Sequence, residues 1–123
     1  MPTNLSVISE HRGGNEILLV SGEVDLSTAP RLGDAIARAA HPGVPVIADL
    51  TGVEFLDSAG ARVLAEADQE LDAHGGRLLI VPSGAVRRVL DLGELDRVLH
   101  VHATVDDALE AGRRFVSSRR RGD

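Results

Sequence analysis

Two compact apolar runs, residues 44–50 and 77–81, place the tightest limit on how this chain can fold. The first is interrupted only by Pro45 and Asp49; the second is apolar after Arg77. Neither alternates polar with apolar, so neither suits a sheet with one face in water. Such runs belong to strands buried on both faces, in parallel sheets covered by helices. The segments between them carry helical spacing. Leu32, Ala35, Ile36, Ala39 and Ala40 recur before His41, Pro42 and Gly43 stop the pattern, and Ser27 or Thr28 can cap that helix with Pro30 in its first turn. Asp57 and Ser58 open a second helix with the stripe Val63, Leu64, Ala67 and Leu71, ended by Gly75 and Gly76. Ser83 and Gly84 lead into a short helix carrying Val86, Val89 and Leu90, and residues 98–102 make a last short strand. Thr104, with Asp107 three residues on, starts a final helix striped by Val105, Ala108, Leu109, Gly112 and Val116.

Ahead of these elements, Leu5, Val7 and Ile8, a turn at 11–15 and the run 17–20 read as a β-hairpin. The order β-β-α-β-α-β-α-β-α predicts an α/β domain with a mixed, mostly parallel sheet of about five strands and about four helices. A length of 123 residues suits one such domain. It is expected to span residues 1–116, with the arginine-rich end, 117–123, as a solvated tail. In sheets of this kind function gathers beyond the carboxyl ends of the strands, where Asp25, Asp49, Glu54, Asp57 and Ser58 are expected to converge.

Composition removes several chemistries. A net charge of −6 and an aromatic content of 2%, from Phe55 and Phe115, argue against nucleic acid, which needs a basic surface and stacking platforms. All 13 basic residues are arginine, so a Schiff base is excluded, as is the lysine that a phospho-aspartate receiver ordinarily uses to read its phosphoryl group. With no cysteine there is no disulfide, thiolate metal site or cysteine nucleophile. His100 and His102 share a strand face without a third ligand, so no metal site is expected. Leu56 stands where a serine-hydrolase elbow needs glycine, and the paired glycines belong to no phosphate-binding fingerprint, so neither hydrolase activity nor a cofactor is expected. The N-terminus lacks a secretory pattern and no apolar run approaches the ~20 residues that cross a bilayer, so the expectation is a cytoplasmic protein without membrane insertion.

Ser58 then admits two readings. It can be part of an N-cap, or it can be a phosphate acceptor at a helix start where Ala59 and Gly60 leave backbone N–H groups open. The residues around it bear on the choice. Asp49-Leu50-Thr51-Gly52-Val53-Glu54-Phe55-Leu56-Asp57-Ser58-Ala59-Gly60 resembles the signature of STAS domains of the anti-sigma-factor antagonist type. Gly22-Glu23-Val24-Asp25-Leu26-Ser27-Thr28-Ala29-Pro30 is similar to the family's second motif, the loop from hairpin to first helix.

The resemblance implies a non-enzymatic bacterial partner switch. The unmodified antagonist binds an anti-sigma factor that is also a serine kinase and so frees the sigma factor; phosphorylation ends the binding and a serine phosphatase resets it. Carried over residue by residue, Ser58 is the acceptor and Asp57 its acidic neighbour, with Asp25 beside them. The implied docking set is Asp25, Ser27, Thr28, Glu54, Asp57, Ser58, Ala59, Gly60 and Arg62. Ala59 stands where many members carry a second hydroxyl, which removes an alternative acceptor. The competing expectation keeps the fold without the phosphoswitch: a constitutive STAS subunit of a transporter or larger signalling assembly.

Overall fold

The structure is a computed structural model describing residues 4–120. Its elements are β1 (Leu5–Arg12), β2 (Asn15–Val24), α1 (Ala29–Ala39), β3 (Pro45–Leu56), α2 (Ser58–Ala73), β4 (Arg77–Pro82), α3 (Gly84–Leu92), a 3-10 turn (Leu95–Arg97), β5 (His100–Val101) and α4 (Val105–Arg120). The five strands form one sheet in the order β1-β2-β3-β4-β5. β1 and β2 are antiparallel and every later pairing is parallel.

Each crossover from β2 onward moves to the next strand in the same direction. Crossovers of one hand that step the same way place their helices on one face, so α1, α2 and α3 share a side. There Leu18, Val46, Ala48, Leu78 and Ile80 of the sheet pack with Leu32, Ile36, Leu64, Val86 and Leu90. The other face is covered by α4, where Ile17, Ile47, Leu79 and Val81 meet Ala108 and Leu109. Alternate residues of β3 and β4 thus enter two different cores, the physical reason the two runs read as apolar throughout.

Four elements, β2, β3, β5 and α4, differ in extent from the sequence reading. β2 continues to Val24 and β3 to Leu56, so residues 51–56 extend the strand beyond the apolar run. The pairing from Glu16↔Val46 to Val24↔Leu56 shifts register twice, so β3 carries two more residues than β2 over the same span. These bulges break the alternation that would mark a strand, and they bend β3 towards its carboxyl end. At one of them Gly22 adopts φ +105°, and its neighbour's amide, Glu23 N–H, donates to the Asn4 carbonyl at 2.6 Å. β5 contracts to two residues, because Glu94 turns the chain with φ 58° into the 3-10 turn and leaves Val98 exposed. Short edge strands of this kind discourage pairing with other chains.

The last helix begins as expected, with the Thr104 hydroxyl accepting from the Asp107 N–H at 3.0 Å. It runs past residue 116 to Arg120, taking in part of the expected tail, while 121–123 lie outside the described residues. Phe115 supports the extension: the Arg77 guanidinium lies over its ring at 4.7 Å and that of Arg119 at 5.8 Å.

Candidate phosphorylation and docking site

Asp57 follows β3 with extended backbone and is the N-cap of α2. One carboxylate oxygen accepts from the N–H groups of Ala59 at 2.9 Å and Gly60 at 3.1 Å. The Asp57 N–H donates to the Val24 carbonyl at 3.1 Å, anchoring the helix start to the end of β2. Gly60 permits the close seat, since a Cβ there would lie 2.5 Å from Leu56 Cδ1 and 2.8 Å from Val24 Cγ1. Ser58, one residue after the cap, is exposed, and no hydrogen bond ties its hydroxyl to another described residue.

That arrangement separates the two readings of the Asp57-Ser58 pair. Asp57 caps and Ser58 does not. Asp57→Ala is therefore expected to cost about 1 kcal/mol of stability, whereas Ser58→Ala should change it by less than about 0.5 kcal/mol, both read from urea midpoints at unchanged slope. It also corrects the picture of an open phosphate cradle, because the donors of Ala59 and Gly60 are already occupied by Asp57. A phosphoryl group on Ser58 would share the helix end with that carboxylate. Arg62, exposed one turn on at i+4, stands on the same face of α2 to offset the added charge.

The loop between β2 and α1 is built around a second aspartate. One oxygen of Asp25 accepts from the Ser27 hydroxyl at 2.7 Å, the Ser27 N–H at 2.9 Å and the Thr28 N–H at 3.1 Å. The Ser27 hydroxyl above all, helped by the backbone N–H groups, holds the Asp25 carboxyl below its ordinary value of 3.8 against an opposing effect of burial. Because the folded value is lowered, the ionised carboxylate stabilises the loop above that ordinary value, and the contribution is lost as pH falls through the lowered one. Thr28 provides no side-chain cap for α1. It is 3% exposed, and its hydroxyl donates to the Glu23 carbonyl at 2.8 Å and accepts from the Asp25 N–H at 2.9 Å.

The Val24↔Leu56 pairing and the Asp57–Val24 bond set the two loops side by side, so Asp25 and Asp57 belong to one edge. Of the expected docking residues, Ser27, Ser58 and Arg62 are exposed there, with Asp25, Asp57 and Ala59 partly so. Thr28 and Gly60 are buried, and they position the loops without presenting a surface. Glu54 is exposed but opens into a separate hollow shared with Asn4, Gly22 and Glu23, because the bulge beside it redirects the strand. Asp49 does not join the edge. It lies within β3 and accepts from the hydroxyl of Thr51 at 2.7 Å and its N–H at 3.0 Å.

Sequence reasoning missed the apolar part of the site. Ser58 stands at the rim of a hollow of about 440 Å³ between α2 and α3, whose walls include Leu56, Ala61, Ala65, Val89 and Leu95. Leu26, 79% exposed, projects from the Asp25 loop, and Leu92, 86% exposed, from the end of α3. The available signal was a large apolar residue among polar or small neighbours, Leu26 between Asp25 and Ser27 and Leu92 between Asp91 and Gly93.

Comparison with known proteins bears on the family and the fold. The profile of the STAS domain family matches residues 6–108. The anti-sigma-F factor antagonist RsfB of Mycobacterium tuberculosis is 35% identical over 111 residues, covering 88% of this chain and 89% of that protein. An anti-sigma factor antagonist from Mycobacterium paratuberculosis superposes with TM-score 0.80 at 37% identity, over 89% of this chain and 94% of that one. SpoIIAA, an anti-sigma factor antagonist in its unphosphorylated form, has the same fold at TM-score 0.66 and 24% identity, over 88% and 96% of the two chains.

Proposed function

This chain belongs to the STAS domain family, and from that premise we propose that it is an anti-sigma-factor antagonist whose docking edge is switched by phosphorylation of Ser58. The observation that carries the reading is an exposed, uncapped hydroxyl between an apolar hollow and two ordered aspartates. In the unmodified state the anti-sigma factor covers Leu26, Leu92 and the hollow beside Ser58, and apolar burial drives the association. The same partner, a serine kinase, transfers the γ-phosphoryl group of ATP. The Ser58 Oγ–phosphorus bond forms as the bond to ADP breaks, and the hydroxyl proton leaves to a base of the kinase.

The modification adds about −1.5 to −2 charge and three acceptor oxygens beside Asp57 and Asp25. A docked partner must then bury a dianion or withdraw, and withdrawal ends the complex. A serine phosphatase restores the hydroxyl. The chain acts by binding and carries out no catalytic step, and the dependence on a kinase and ATP assigns it to the cytoplasm. Among the described residues no helix is long and apolar enough to cross a membrane.

The test is incubation with ATP and the anti-sigma kinase, followed by intact-mass measurement and co-purification. The wild-type chain should gain one phosphoryl group and leave the complex. Ser58→Ala should gain none and stay bound. Phosphate on the alanine variant would overturn Ser58 as the acceptor, and no gain by the wild type with any ATP-binding partner would assign the edge to a constitutive subunit instead.

A further inference from the structure

Away from Ser58, arginine and histidine side chains converge on one concavity of this acidic chain. A hollow of about 480 Å³ lies between the β4–β5 edge and α4, where Arg77, Arg114, Arg119, His100 and His102 stand over a floor that includes Phe115. No Asp or Glu is among its lining residues. The carboxylates acting on these side chains stand outside it: Glu110 pairs with Arg114 at 3.3 Å across an exposed helix turn, Asp68 acts on Arg77 and His100, and Asp107 acts on His102. A solvent-exposed pair of the Glu110–Arg114 kind holds its arginine weakly. The Nε of Arg77 is sealed from solvent and meets no acceptor among the described residues. Burial first, then the positive charges of His100 and Arg114, push the His102 imidazole below its ordinary value against the pull of Asp107, so the hollow resists a further positive charge.

We propose that this hollow binds a small phosphate-bearing anion, held by the guanidinium forks of Arg77, Arg114 and Arg119 with the two imidazoles at its side. The chemistry selects the ligand. Planar guanidinium forks match the oxygens of a tetrahedral oxyanion, and partly apolar walls strengthen each charge-assisted bond. Two arginines already approach the Phe115 ring, at 4.7 and 5.8 Å from its centroid, so the site takes the phosphate group in preference to a stacked base. Nor does the site rest on the reading of Ser58, which begins α2 at the opposite, carboxyl end of the strands.

The test is calorimetric titration with inorganic pyrophosphate at constant ionic strength, with the ring resonances of His100 and His102 followed in parallel. Saturable binding that shifts both rings is expected. Arg114→Gln and Arg119→Gln should each weaken it about tenfold or more, while Arg38→Gln on the exposed face of α1 and Ser58→Ala should leave it unchanged. Arg77→Gln also removes a guanidinium from the Phe115 ring, so its result is read beside the other two. Absence of saturable binding, an equal loss in Arg38→Gln, or pyrophosphate shifting amides near Ser58 with both rings unmoved would overturn the proposal.

Discussion

Ser58→Asp is expected to weaken binding to the anti-sigma factor about a hundredfold while leaving the fold as stable as before. The two halves of this result come from different physics. At the first position of α2 a carboxylate meets the positive end of the helix, which favours it by about 0.3–1 kcal/mol. Asp57 already holds the first-turn donors, and its repulsion offsets part of that gain. Folding stability therefore stays near the wild-type value. In the proposed complex, the new charge sits where a hydroxyl had been covered, beside Asp57 and near Asp25. Like charges and an unpaired buried carboxylate at an interface cost several kcal/mol, and about 2.7 kcal/mol is a hundredfold in affinity. Surface plasmon resonance against the anti-sigma factor, with urea denaturation of the free chain, separates the two. Wild-type affinity in Ser58→Asp would remove charge from the switching mechanism. Loss of stability together with affinity would mean that the substitution had only damaged the fold.

Gly22→Ala should cost about 3–5 kcal/mol of stability, a large share of the 5–15 kcal/mol available to a domain of this size. A side chain at φ +105° is strained by about 1–3 kcal/mol wherever it stands. Here its Cβ would also lie 1.9 Å from the Asn4 carbonyl oxygen, which is main chain and cannot rotate away. Relief requires parting β1 from β2 where Leu5 faces Gly22, at the loss of the Glu23–Asn4 hydrogen bond. Overpacking of this kind adds about 1–3 kcal/mol. Gly13 is the control. Its φ is +58°, and a Cβ there would meet nothing within 4 Å, so Gly13→Ala should lose only about 1 kcal/mol. Urea midpoints for the pair test the assignment, and equal losses would show that dihedral strain alone, and not the approach of Asn4, makes Gly22 necessary.

The layering of the domain was legible because it is written in gross hydrophobic pattern. Residues 44–50 and 77–81 feed two cores at once, and the stripes of α1, α2 and α4 have the period of a helix. What escaped depends on local geometry. The second half of β3 was hidden because its bulges place Val53 and Leu56, three residues apart, in the same core, whereas a regular strand would point them to opposite faces. Glu54 was expected beside Ser58 for the same reason, since only the bulge tells which hollow it enters. For the Asp57-Ser58 pair, sequence allowed either side chain to cap, and backbone direction at the helix entry decided for Asp57. Thr28 looked like a cap or a docking residue because a hydroxyl before a proline-started helix suits both, yet it fastens the loop from inside. The apolar hollow beside Ser58 was missed because Leu56, Ala65, Val89 and Leu95 are far apart in the chain and line one concavity only once the fold collects them.

Because the Asp57 carboxylate fastens the helix entry independently of its neighbour, adding or removing a phosphoryl group at Ser58 opens none of those bonds. Under the proposed switch the two forms are expected to share one backbone, with no slow isomerisation between them. Under the proposed phosphoswitch, the response time of the circuit is then governed by kinase and phosphatase turnover, and changing their relative abundance resets the transcriptional threshold without any alteration to this chain.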